Sequence, residues 1–209
     1  MTTFLILIYA LTLVYFCITE RFRTYALLVG LQGLLLFGIS FSELQRVTTP
    51  NLIFIFSETI VFKTLVVPAL LLRVIGKSRQ ARINKDALPG HYSLILVSLM
   101  LIVSFLITYF LQQMVIDPIY FTISLFALFS GILLIISHKR IFSHLVGFLV
   151  LENAVFLFSL SIGNEMPILI NTGILLDLFI SALILGVFAS KIGHTISDIE
   201  TDELSQLKD

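Results

Sequence analysis

Four ionisable side chains lie near the middle of apolar stretches long enough to cross a bilayer: Glu58 and Lys63 in one, Glu152 in a second and Asp177 in a third. A charge at bilayer depth costs ~2.5–3.5 kcal/mol on insertion scales, so such residues are expected to line an ion or proton path, or to pair between helices. Lys63 is ten residues from Arg73, Glu152 twelve from Arg140 and Asp177 fourteen from Lys191. At ~1.5 Å of rise per residue the three fall at nearly one depth, close to the midplane, on three different helices. Burial disfavours the charged form of an amine and of a carboxyl alike, which brings the two classes together in proton affinity. A proton could then pass sideways through the membrane plane in small free-energy steps. The competing expectation is a static ion pair that fixes helix register.

Other polar residues qualify this picture. Glu58 is five residues from Lys63, roughly 7.5 Å away along an ideal α-helix and ~140° around it, so the two do not face each other there. A π-type turn would bring them closer. Pro68 removes a backbone donor and is expected to kink its span. His144, about one turn inside its span, is a candidate proton entry towards Glu152, with an ordinary interface residue as the alternative. Gln32 sits between Gly30 and Gly33, where small residues let helices approach and an amide can bond across the contact. Asn153 and Asn171 read as inter-helical partners of the same kind. Cys17, the single cysteine, lies in an apolar run and reads as a small hydrophobe, with no disulfide or thiolate metal site to build.

The elements that must position these residues are membrane helices. Of 209 residues 58% are hydrophobic and 12% charged, and the net charge is zero; the mean hydropathy is +1.06. Such apolar content in long runs belongs to the membrane class, and the charge balance offers nothing to nucleic acid. Seven segments have the ~17–25 residues a spanning helix needs: 2–19, 24–42, 52–75, 92–112, 118–137, 141–161 and 167–190. The first lacks a basic leader and a small-residue cleavage site, so it is expected to be a retained span. Eleven Lys and Arg residues lie at or in the connections after spans one, three, five and seven, against Arg46 alone on the other side. The positive-inside rule then predicts an outside N-terminus and a cytoplasmic C-terminus. The expected architecture is an all-α bundle of seven transmembrane helices forming one membrane domain. Four spans lie within 1–112, and three plus an acidic tail within 118–209. His91 and His138 stand at span edges and His194 in the tail, so no deep histidine pair is available for haem. No cofactor or metal is expected in the chain itself.

From His138 onward the sequence resembles the K subunit of respiratory complex I and its relatives in cation antiporters. The resemblance rests on Lys139-Arg140-Ile141-Phe142, on Val150-Leu151-Glu152-Asn153-Ala154 and on Leu175-Leu176-Asp177-Leu178-Phe179. Asp177 stands where the K subunit usually has Glu. The length and the stretch Phe62-Lys63-Thr64-Leu65-Val66-Val67-Pro68 are similar to component E of hydrogenase four, an elongated K-like subunit of formate-hydrogenlyase-type complexes. The resemblance implies a membrane-arm subunit of a redox-driven proton or sodium pump in a prokaryotic cytoplasmic membrane. Lys63, Glu152, Asp177 and Glu58 would carry part of a lateral path. It also implies antiporter-like membrane partners, with any nickel–iron centre or iron–sulfur cluster in partner subunits and no redox chemistry in this chain. Two rivals remain at this stage: a scaffold subunit whose buried charges merely pair, and a stand-alone secondary transporter. The second is expected to show inverted repeats, and none is evident in the sequence.

Overall fold

The computed structural model describes residues 2–43, 56–77, 90–111, 117–138 and 141–161. These fold into six helical elements: α1 (Thr2–Ile18), α2 (Phe22–Glu43), α3 (a π-helical part, Ser57–Val66, continuing as the α-helical Val67–Lys77), α4 (Gly90–Leu111), α5 (Pro118–Ser137) and α6 (Ile141–Ser161). No strand occurs among the described residues. Four helices, α2, α4, α5 and α6, are individually long and apolar enough to cross a membrane. The seventh predicted span, 167–190, and with it Asp177, lies outside the described residues.

Local chemistry explains where the elements begin and turn. At the start of α5, Pro118 supplies a preset φ and no N–H, while Asp117 caps the helix: its Oδ1 accepts from the N–H of Ile119 at 2.9 Å and of Tyr120 at 3.3 Å. The tight α1–α2 connection is closed by the Tyr25 hydroxyl, which donates to the Thr19 carbonyl at 2.9 Å. Hydroxyls within the apolar helices are largely satisfied by their own backbone, as a bilayer core requires. Ser104 Oγ donates to the Met100 carbonyl and Thr108 Oγ1 to that of Ser104.

Small residues decide how closely the helices approach. A Cβ at Gly131 would stand 2.9 Å from the Gly147 carbonyl oxygen, and one at Gly147 would stand 2.8 Å from that of Gly131. The α5 and α6 backbones therefore touch directly, as small residues permit in membranes. Neighbouring helices alternate in direction. Leu5 lies against Gly38 in α1 and α2, and Lys63 against Gly33 in α2 and α3. The Asp117 N–H donates to the Ser161 carbonyl at the ends of α5 and α6. The α2 and α6 helices run parallel, with Phe22 against Phe142 near their starts and Gln32 bonded to Asn153 further along. This alternation gathers Arg21, Arg23, Arg73 and His138 at one end, with Asp117 and Ser161 at the other.

The core lies between α1, α2, α5 and α6, around Tyr9, Phe16, Tyr25, Leu36, Phe126 and Leu157. Helix α4 is peripheral. It turns inward a stripe of Ser93, Val97, Ser104 and Thr108, while Ile95, Phe105 and Phe110 face outward.

Candidate proton-transfer site

The π-helical part of α3 is the main local departure from the expected geometry. In such a segment each N–H reaches back five residues, as that of Val67 does to the Phe62 carbonyl. Pro68 explains why the register changes there. It has no N–H, and in an α-helix its ring would press on the carbonyl of Thr64, four residues earlier. The wider turns relieve that contact before the α-helical register resumes at Val67. Thr64 Oγ1 donates to the Thr59 carbonyl, also five residues back, at 2.7 Å. Pro68 therefore appears at a change of helical register and not simply as a bend. Positions 58 and 63 are one π turn apart, so their ideal α-helical separation of ~140° does not apply.

Lys63 and Glu152 meet. Their Nζ and Oε1 atoms are 3.8 Å apart between α3 and α6, and the two side chains are only 7% and 3% exposed. The ring of Phe156, one turn beyond Glu152 on α6, lies 5.2 Å from Nζ. A pair at this distance gains about 4 kcal/mol at an effective dielectric constant of 20. Desolvating each ion costs several kcal/mol. The attraction favours the charged pair and the desolvation favours its neutral form, reached by moving one proton from the ammonium to the carboxylate. The separation exceeds a hydrogen bond; direct transfer requires a modest swing of the lysine or a bridging water.

A chain of neutral polar groups adjoins the pair. Asn153 Nδ2 donates to Gln32 Oε1 at 3.1 Å, Gln32 Nε2 donates to Thr12 Oγ1 at 3.1 Å, and Thr12 Oγ1 donates to the Tyr9 carbonyl at 2.6 Å. Gln32 and Asn153 thus make the inter-helical contacts expected of them. Gly33, next to Gln32, seats α2 on the backbone of α3: a Cβ there would lie 2.9 Å from both the carbonyl carbon and the Cβ of Lys63.

His144 is not brought to the pair. It precedes Glu152 by eight residues, ~12 Å along α6, with only apolar residues between them. Its Nε2 lies 2.5 Å from the His138 carbonyl, and His138 Nδ1 lies 3.0 Å from the Leu134 carbonyl. A carbonyl can only accept, so these nitrogens carry the hydrogens; the His144 ring ties the start of α6 to the end of α5, and the His138 ring bonds back into the last turn of α5. Asp177 and Asn171 lie outside the described residues, and for Glu58 only the backbone position is described. Among the described residues no group of three or more His, Cys, Asp and Glu side chains is arranged to hold a metal.

Two participants were not singled out from the sequence. Thr12 is one threonine in an apolar run, and Phe156 is one of 19 phenylalanines, with only its i+4 spacing from Glu152 as a clue. If Phe156 holds the ammonium, a double-mutant cycle in thermal unfolding will show it. Phe156→Leu is expected to cost ~0.5–2 kcal/mol more with Lys63 present than in a Lys63→Met background. Equal costs would mean that the ring only fills space.

Comparison with protein-family models, with curated proteins and with solved structures gives no match for this chain.

Proposed function

We propose that this chain is a proton-conducting membrane subunit of a redox-driven pump related to complex I, and that the Lys63–Glu152 pair is a step on its lateral path. The observation that carries the reading is the approach of a lysine and a glutamate from different helices, both nearly inaccessible, to 3.8 Å. The resemblance, strongest over residues 52–75 and 138–209, to K-type subunits and to component E of hydrogenase four supports the assignment to a multisubunit pump. In this reading the chain has seven spans, its N-terminus outside and its C-terminus in the prokaryotic cytoplasm. Asp177 continues the path beyond Glu152, and Glu58 feeds Lys63 from one π turn away. The coupling ion is H⁺, with Na⁺ as the alternative. Antiporter-like subunits are the membrane partners, and any nickel–iron centre or iron–sulfur cluster belongs to them.

A second reading has one observation in its favour. A lysine already beside a buried carboxylate can serve simply as a bridge that fixes α3 against α6, in a scaffold subunit. Purification of the intact assembly in mild detergent, with its subunits identified by mass spectrometry, tests the assignment. Antiporter-like and redox subunits are expected; a chain that purifies without either contradicts it. The orientation has its own check. Single cysteines at positions 78 and 164 are expected to label from opposite sides of intact cells, and equal labelling would overturn the proposed topology.

A further inference from the structure

We infer that Gln32 and Thr12 are positioning residues for the Lys63–Glu152 pair, held in a hydrogen-bonded chain of fixed polarity that sets the spacing of α3 and α6 but conducts no proton itself. The inference rests on the reading of that pair as the working site.

The polarity follows from the far end of the chain. The Tyr9 carbonyl can only accept, so the one hydrogen of the Thr12 hydroxyl points at it. The Thr12 oxygen is then an acceptor towards Gln32, which must turn its NH₂ to Thr12 and its carbonyl oxygen to Asn153. Gln32 is wholly buried and Asn153 nearly so, so a flipped amide would set like groups against each other with no water to compensate. The members are two primary amides, a hydroxyl and a peptide carbonyl. None titrates in the ordinary range, and a proton entering at Asn153 would have no acceptor to leave by.

The chain instead fixes distances. Successive residues of α2 act on the two helices that carry the pair: Gln32 holds α6 through Asn153, adjacent to Glu152, and Gly33 seats the α3 backbone at Lys63. Thr12 braces Gln32 from α1 without itself adjoining either charged residue in sequence or bonding to it. From α3 the charged group beside Glu152 is Lys63. The separation of the charges is therefore sensitive to a hydroxyl on a fourth helix, α1.

Infrared difference spectra of the full-length protein in lipid, recorded across a pH step, test this. The Glu152 carboxyl band is assigned by its loss in Glu152→Gln. Thr12→Val keeps the shape of the side chain and removes the hydroxyl, and is expected to move the band, as is Gln32→Leu. Thr12→Ser keeps the hydroxyl and is expected to leave the band in place. Leu13→Val, an apolar truncation at a buried neighbour on α1, is also expected to leave it unmoved. An unmoved band in Thr12→Val overturns the inference, as does an equal shift in Leu13→Val. Should Gln32→Leu fail to fold, the Thr12 variants still decide. The band is read without transport. A chain that shows this pattern yet lacks proton uptake would refute the proposed function and leave the positioning role standing.

Discussion

Replacing Glu152 by Gln is expected to cut proton translocation roughly 100-fold or more while the protein still assembles. The magnitude is that of removing a positioned acid–base group. Glutamine retains the volume of the side chain and much of its hydrogen bonding but cannot exchange a proton. The same change deprives the Lys63 ammonium of the carboxylate 3.8 Å away. Breaking one side of a buried pair typically costs ~3–5 kcal/mol when the survivor stays charged. A membrane domain can absorb part of this, because the Phe156 ring remains beside the ammonium. Reduced thermal stability with intact assembly is therefore expected alongside the transport defect. Native gels report the first and proton uptake by proteoliposomes the second; uptake at the wild-type rate would leave Glu152 with a structural role only.

Gly33→Val is expected to be the most damaging substitution away from the charged residues. A Cβ at this position would lie 2.8 Å from Thr64 Oγ1 and 2.9 Å from the Lys63 carbonyl carbon, distances that real Cβ atoms do not show. Backbone cannot yield as a side-chain tip can, so α2 and α3 must separate. Overpacking of this kind costs ~1–3 kcal/mol or more. The movement also draws Lys63 away from α6, so proton uptake is expected to fall in whatever fraction still assembles. Gly38→Ala is the natural comparison. Its Cβ would meet only the Leu5 side chain, at 3.0 Å, and a leucine terminus can rotate aside. Near-normal stability of Gly38→Ala beside strong destabilisation of Gly33→Val is the expected pattern, measured by detergent thermal unfolding. Equal tolerance of both would contradict the close α2–α3 seating.

The meeting of Lys63 with Glu152 was legible because helix rise is nearly constant. Counting inward from Arg73 and Arg140 puts the two at nearly one depth. Gln32 was legible for a different reason: an amide between two glycines in an apolar run has few ways to satisfy its polar atoms except across a helix contact. The π-helical register of residues 57–66 was not legible. Pro68 signalled a disturbance, but the form it takes depends on Gly30, whose Cβ would lie 3.0 Å from the Pro68 ring, and on Gly33 beneath Lys63. Those are tertiary contacts, which local propensity does not encode. Thr12 was not legible because hydroxyls in membrane helices usually bond to their own backbone, and this one does so while also accepting from Gln32. For His144 the sequence left two readings, a proton entry and an interface residue; its ring reaches the carbonyl at the end of α5.

A Lys63–Glu152 pair that moves protons differs from one that merely bridges two helices in what the paired substitution does. Proton uptake by proteoliposomes of the assembled complex should be compared for Lys63→Met, Glu152→Gln and the double substitution. Removing both members leaves no orphan charge, so the double variant is expected to assemble as well as the wild type. It is nevertheless expected to fail in proton uptake, as each single variant is. Recovery of wild-type uptake in the double variant would make the pair a structural bridge and not a proton-transfer step.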